Sequence, residues 1–267
     1  WYTGSSDVWL IKTDSDGNTL WEKTFGTGYS EHGYSLQETT DNGFIICGDT
    51  GVNGNTDVWL IKTDSQGNEE WNKIIGGIQA DYGYSVQQTT DGGYIITGRT
   101  ESYGSGGYDV WLIKTDSQGI QEWNQTFGYN SSDHGYSVKQ TLDSGYIITG
   151  LTTQSNERDV FLIKTNANGD EVWSNTFGSG NGVGDESFSV QQTIDGGYIL
   201  VGGTNAENSA WLIKTNSVGV QEWDKTFLSG TWGFSVQKTS DGGYFITGRE
   251  NKKIMIIKTD LEGNADN

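Results

Sequence analysis

Four carboxylates fall at matching places along the chain: Glu31 in EHGY, Asp81 in DYGY, Asp133 in DHGY and Asp185 in DESF, with Thr231 at the corresponding place in a fifth copy. Ca²⁺ is held by oxygen ligands of this kind, so the set is a candidate Ca²⁺ site. The competing reading is that each carboxylate caps backbone N–H groups of its own loop, as Asp does in turns. Aromatic side chains crowd the same segments: Tyr29, Tyr82, Tyr103, Tyr108, Tyr129 and Trp232, accompanied by His32 and His134. Flat rings with polar tips beside carboxylates suit sugars, which offer C–H patches and hydroxyl donors together. The expected ligand-binding set is therefore Glu31, Asp81, Asp133, Asp185, Tyr82, Tyr129, His134 and Trp232.

Paired carboxylates also serve glycoside hydrolases, one as acid and one as base or nucleophile. Such pairs need unlike environments to take different roles, whereas those here are near copies of one another. The expectation is a protein that is not an enzyme, with no cofactor apart from the Ca²⁺ candidate. Asp14-Ser-Asp16-Gly-Asn18 resembles part of a calcium loop, but the matching turns read TDSQGN, TDSQGI, TNANGD and TNSVGV, so a hairpin turn explains it better.

The elements that carry these residues repeat. Lysines in a common motif stand at Lys12, Lys62, Lys114, Lys164, Lys214 and Lys258, spaced by 50, 52, 50, 50 and 44 residues. Repeats of this length signal propellers or solenoids. Each period resolves into four strands, numbered from the innermost. Residues 84–89 form the first and 94–100 the second, joined by Thr90-Asp91-Gly92-Gly93; residues 57–64 form the third and 69–76 the fourth. Turns this short make antiparallel neighbours. Val58 and Leu60 point one way and Trp59 and Ile61 the other, so both faces of the sheet are apolar and each must be covered by another sheet. Four-stranded sheets stacked face to face make a β-propeller.

The third strand, turn and fourth strand resemble the tryptophan-docking pattern of pyrroloquinoline-quinone-type propeller repeats, carried here by Asp64, Gly67 and Trp71. The whole period is also similar to the DGGYIIAG and LIKTDxxGxxxW repeats of secreted bacterial and archaeal propeller proteins. That resemblance covers nearly the whole chain. It implies the propeller fold and an extracellular or cell-surface setting, and it supplies no catalytic residue.

The 40 Gly and absence of Pro fit many tight turns between short strands, and 11 Trp, 13 Tyr and 9 Phe supply an aromatic core. A formal charge of −19 would repel a phosphate backbone, which excludes nucleic acid as a partner class. No apolar run approaches the length of a membrane span, so no membrane insertion is expected. Cys47 stands alone, which rules out a disulfide within the chain. The expected architecture is all-β: a single propeller domain over 1–267 with five blades, its last sheet completed by the amino-terminal outer strand near Trp21. Six blades, or a fragment of a larger ring, are the alternatives, because the third-strand motif occurs six times. The function this points to is a non-catalytic recognition scaffold binding a glycan or protein on its varied loops. The alternative is a self-associating structural component of a surface or filamentous assembly.

Overall fold

The computed structural model describes residues 6–129, 131–154, 157–178, 184–205 and 208–265. It is all-β, with every strand pairing antiparallel, and it divides into two compact units, residues 1–127 and 128–267. In the first unit, β1 (Val8–Thr13) and β2 (Thr19–Phe25) form a two-stranded sheet. It is followed by β3 (Glu31–Glu38) to β6 through β4 (Phe44–Thr50), β5 (Asp57–Thr63) and β6 (Glu69–Ile75). The next sheet holds β7 (Asp81–Gln88), β8 (Tyr94–Thr100), β9 (Asp109–Thr115) and β10 (Gln121–Phe127).

The second unit repeats the plan. One sheet contains β11 (His134–Gln140), β12 (Tyr146–Gln154), β13 (Glu157–Thr165) and β14 (Glu171–Phe177), and the next β15 (Asp185–Gln192), β16 (Tyr198–Thr204), β17 (Ser209–Thr215) and β18 (Gln221–Ser229). The last holds β19 (Thr231–Lys238), β20 (Tyr244–Glu250) and β21 (Lys253–Thr259). Among the described residues there are thus four sheets of four strands, one of three and one of two. β2 pairs with β1, and β21 is the outermost strand of the last sheet.

The third strands of the four-stranded sheets are dry on both faces, as their pattern requires: Val58, Trp59, Leu60 and Ile61 are all buried. Ile45, Cys47, Val58 and Leu60 of one sheet pack on Val86, Tyr94, Ile96, Trp111 and Ile113 of the next. Ile147, Val160 and Leu162 meet Val190, Tyr198, Leu200, Trp211 and Ile213 in the same way. Face-to-face stacking of four-stranded antiparallel sheets is the construction of a propeller.

Two devices hold the outer halves. The fourth-strand tryptophans dock on glycines of the following sheet: a Cβ on Gly119 would lie 2.7 Å from the Trp71 ring, and one on Gly219 2.4 Å from Trp173. These glycines also have positive φ, 72° and 78°, so the Gly of the tryptophan-docking pattern answers both a backbone and a contact demand. Lys62, Lys114, Lys164 and Lys214 are buried staples. Lys114 Nζ lies 2.9 Å from Asp91 in the turn between first and second strands and 2.9 Å from Glu122 on the fourth. It also donates to the Thr115 carbonyl at 2.9 Å. Lys62, Lys164 and Lys214 repeat the bond to the turn carboxylate, and half-exposed Lys258 makes it to Asp241.

Candidate functional site

The first strands begin earlier than their sequence pattern announces, because each contains a β-bulge. Pairing shifts between Gly33 and Ser35, Gly83 and Ser85, Gly135 and Ser137, Ser187 and Ser189, and Gly233 and Ser235. The extra residue is in every case aromatic: Tyr34, Tyr84, Tyr136, Phe188 and Phe234. Bulges re-aim side chains and gather beside functional sites. The bulge also presses a carbonyl against the second strand, where a Cβ on Gly98 would stand 1.7 Å from the Tyr82 oxygen. Only glycine fits there, which explains the invariant Thr-Gly or Cys-Gly ending of the second-strand motif in the first unit.

Neighbouring first strands are tied at the following residue. Ser35 Oγ accepts the Val86 N–H at 3.1 Å, and Ser189 Oγ that of Val236 at 3.3 Å. The bulged rings therefore line up from sheet to sheet. In the first unit Tyr34 meets Tyr84 edge-on at 5.3 Å, Tyr84 stacks with Tyr82 at 6.2 Å, and Tyr82 meets Tyr108 at 6.1 Å. The Arg99 guanidinium lies 4.4 Å from the Tyr82 ring centre and 4.2 Å from that of Tyr108, within cation–π range of both. His32 stacks on Tyr34 and places Nδ1 3.1 Å from buried Asp49. Burial, and the charge of the Asp49 carboxylate that accepts its hydrogen bond, push the Tyr34 hydroxyl well above the usual range. Burial likewise raises Tyr108, with Tyr82 beside it.

The second unit carries a parallel row. His134 Nδ1 lies 3.0 Å from the Tyr136 hydroxyl, Tyr136 packs on Phe188 at 5.1 Å, and Phe188 reaches Trp232 at 6.1 Å and Phe234 at 5.4 Å. Arg249 lies over the Trp232 and Phe234 rings. Tyr34 and Phe234 remain about half exposed, so each row offers ring surface to solvent.

The expected site residues thus divide. Tyr82, His134 and Trp232 stand in the rows, whereas Tyr129 is an exposed loop residue whose N–H donates to Asp133 at 2.7 Å. Glu31, Asp81, Asp133 and Asp185 are buried at or beside the starts of their first strands. Asp81 accepts from Gly77 N–H at 2.7 Å, Thr100 Oγ at 2.5 Å and Ser102 Oγ at 2.8 Å. Asp133 accepts from the Thr153 N–H at 3.1 Å, and Glu31 from the hydroxyls of Thr27 and Thr50. In the fifth copy Thr231 Oγ accepts the Ala210 N–H at 2.9 Å. A carboxylate saturated by donors, as Asp81 is, has few lone pairs for a cation. Among the described residues no group of three or more His, Cys, Asp or Glu side chains converges as a metal set would.

The bulged aromatics, Arg99, Arg249 and Asp49 escape a reading built on loops. One signal could find them. The residue after the second-strand glycine departs from the repeat, being Asp49, Arg99, Leu151, Gly203 and Arg249 in turn. Its cross-strand partners are His32, Tyr82, His134, Glu186 and Trp232.

No family model and no curated protein matches the chain. Solved structures do. A protein of unknown function from Bacteroides caccae aligns over 98% of this chain and 92% of its own at TM-score 0.60 and 12% identity. PorZ, a surface component of the type-IX secretion system of Porphyromonas gingivalis, aligns over 99% of this chain and 38% of its own at TM-score 0.57 and 9% identity. An exo-β-1,3-galactanase of Phanerochaete chrysosporium, solved with β-1,3-galactotriose, aligns over 97% and 66% at TM-score 0.52 and 13% identity. At such identities the likeness is one of fold: the neighbours are all-β, propeller-like proteins.

Proposed function

We propose that the chain is a non-catalytic recognition scaffold, displayed outside the cell, whose bulged aromatic rows bind glycans. The observation that supports this most is the pairing, in each unit, of partly exposed rings with an arginine stacked over them. Sugar C–H faces pack on such rings, and hydroxyl groups bond to the polar tips of Tyr, His and Arg. The donor-saturated Asp81 carboxylate favours scaffold over hydrolase, since a catalytic acid or base must exchange protons with substrate. No described helix is long and apolar enough to cross a membrane. The extracellular setting rests on the similarity to secreted repeats, and PorZ is one propeller-like neighbour described as a surface component.

Screening against a glycan array, followed by calorimetry on the hits, tests this reading. Tyr34→Ala and Trp232→Ala should each weaken binding about tenfold, the loss of one ring contact of ~1.4 kcal/mol, while the fold stays intact. An array with no signal above background would remove it.

A further inference from the structure

Two adjacent polar positions close each first strand. The earlier one reads Gln37, Gln87, Lys139, Gln191 and Gln237 through the copies, and the later one Glu38, Gln88, Gln140, Gln192 and Lys238. Both lysines belong to the second unit. They stand on β11 and β19, the two first strands that pack beside β15.

In the first unit the matching strands are joined by a hydrogen bond: Gln37 Oε1 on β3 accepts the Gln88 N–H of β7 at 2.7 Å. That N–H is available because the next one, of Thr89, pairs with Gly93 inside the sheet, and alternate N–H groups of an edge strand point outward. The second unit copies this frame. Ser137 Oγ accepts the Val190 N–H at 3.4 Å as Ser35 Oγ accepts that of Val86 at 3.1 Å. Gln192 Oε1 accepts the Leu142 N–H at 3.0 Å as Gln88 Oε1 accepts that of Thr40 at 2.9 Å. The Thr193 N–H pairs with Gly197, so the Gln192 N–H points out of its sheet as that of Gln88 does. Yet the residue at the place of Gln37 is Lys139, whose ammonium can only donate. Among the described residues nothing accepts the Gln192 N–H.

A further donor stands at the same residue. Lys238 Nζ lies 2.8 Å from the Gln192 carbonyl oxygen, and the N–H and C=O of one strand residue leave by the same edge. The carboxylates of the nearby turns, Asp143, Asp195 and Asp241, are held by Lys164, Lys214 and Lys258. Lys139 makes no ion pair among the described residues, and burial without an opposing charge pulls its ammonium below the usual range. A half-buried charge without a partner is costly, so a counter-charge from solvent is favoured beside it.

We propose that Lys139, Lys238 and the Gln192 N–H form a site for one small monovalent anion, either chloride or the carboxylate of a small molecule. Three donors gather at one strand edge where the first unit pairs a donor with an acceptor. Lys139 is half-buried and Lys238 exposed, so an ion can enter from solvent. The site does not depend on the glycan reading, since Lys139 lies three residues along β11 from the bulged Tyr136, toward the tight turns.

Chloride-35 NMR tests the proposal. A charge of −19 keeps non-specific chloride binding low, so exchange with a real site should broaden the sodium chloride line in the presence of the wild-type chain. Sodium formate supplies the second probe, read by saturation transfer from the protein to its proton and by its power to narrow the chloride line. Both signals, with narrowing, assign the site to halide and carboxylate alike; chloride broadening alone restricts it to halide, and transfer to formate alone to carboxylates. Each of these results supports the site, provided that the signal is lost in Lys139→Gln. That variant installs the residue of the other four copies, whose Oε1 should accept the Gln192 N–H as Gln37 accepts that of Gln88. Lys252→Gln, in the exposed turn before β21, should keep the signal. Neither signal with the wild type, an undiminished signal in Lys139→Gln, or an equal loss in Lys252→Gln would overturn the proposal. Circular dichroism checks folding; should Lys139→Gln not fold, Lys238→Gln carries the same test, and an undiminished signal there would overturn the site.

Discussion

Replacing Lys114 by Met keeps an apolar stem in place and deletes the cation of a buried staple. The lysine side chain is 4% exposed, whereas its partners Asp91 and Glu122 are 59% and 47% exposed. After the change both carboxylates can be solvated, so their loss is small, about 0.5 kcal/mol each, as for exposed pairs. The fully buried Thr115 loses the donor to its carbonyl, at about 1–3 kcal/mol. Relief from desolvating an ammonium offsets part of this. A net loss of about 2 kcal/mol corresponds to about 8 °C in the melting midpoint of a unit this size. The pH dependence supplies a second readout. Partial desolvation raises Asp91, but the Thr89 hydroxyl, the Lys114 ammonium and the Gly93 N–H outweigh it and bring it to about 2. A depressed carboxylate adds stability above its unfolded pKa, about 3.9, that is lost as pH falls through the folded value. The gap between wild type and Lys114→Met, followed by differential scanning calorimetry, should therefore be widest above about pH 5 and narrow between about pH 4 and 2. An unchanged melt at neutral pH, or a gap indifferent to pH, would refute the staple.

Gly98→Ala places a methyl group 1.7 Å from the Tyr82 carbonyl, so it should destabilise by more than about 3 kcal/mol in urea titration, or abolish soluble expression. Asp57 is raised first by burial and then by nearby Asp81. A raised carboxylate opposes folding once it is charged, so Asp57→Asn should raise the melting midpoint at neutral pH, with no gain below about pH 3 where both states are protonated.

Much of the fold was legible because it obeys short periods. Alternation in DVWLIKTD and its copies marks strands dry on both faces, and the Gly and Trp spacing marks the docking of one sheet on the next. The innermost strands were harder. A bulge inserts one residue and breaks the alternation at Tyr34, Tyr84, Tyr136, Phe188 and Phe234, so alternation alone starts the strands at those aromatics and leaves the preceding carboxylates on loops. In fact Asp81 pairs across the sheet with Thr100, and Glu31 with Thr50, which is why threonine hydroxyls find them. The aromatic rows depend on which first strands lie side by side, a fact set by stacking rather than by local pattern. The six third-strand motifs announced the surplus strand, but only the pairing shows that β21 lies beside β20.

The lysine staples all sit at the same end of their sheets, among the tight turns. Each such sheet is thus clasped at one end by a cation, like a book held by its spine, while at the other end carboxylates such as Asp81 hold only the roots of the connections, through Gly77, Thr100 and Ser102. Fraying and proteolytic nicking should begin at the exposed tips of those connections, such as residues 103–106, without loosening the register. Sequence change there is mechanically insulated from the core, so one frame can carry segments as different as GVNGNT, ESYGSGGY and NKK. New specificities could then arise at those connections while the clasped ends stay unchanged.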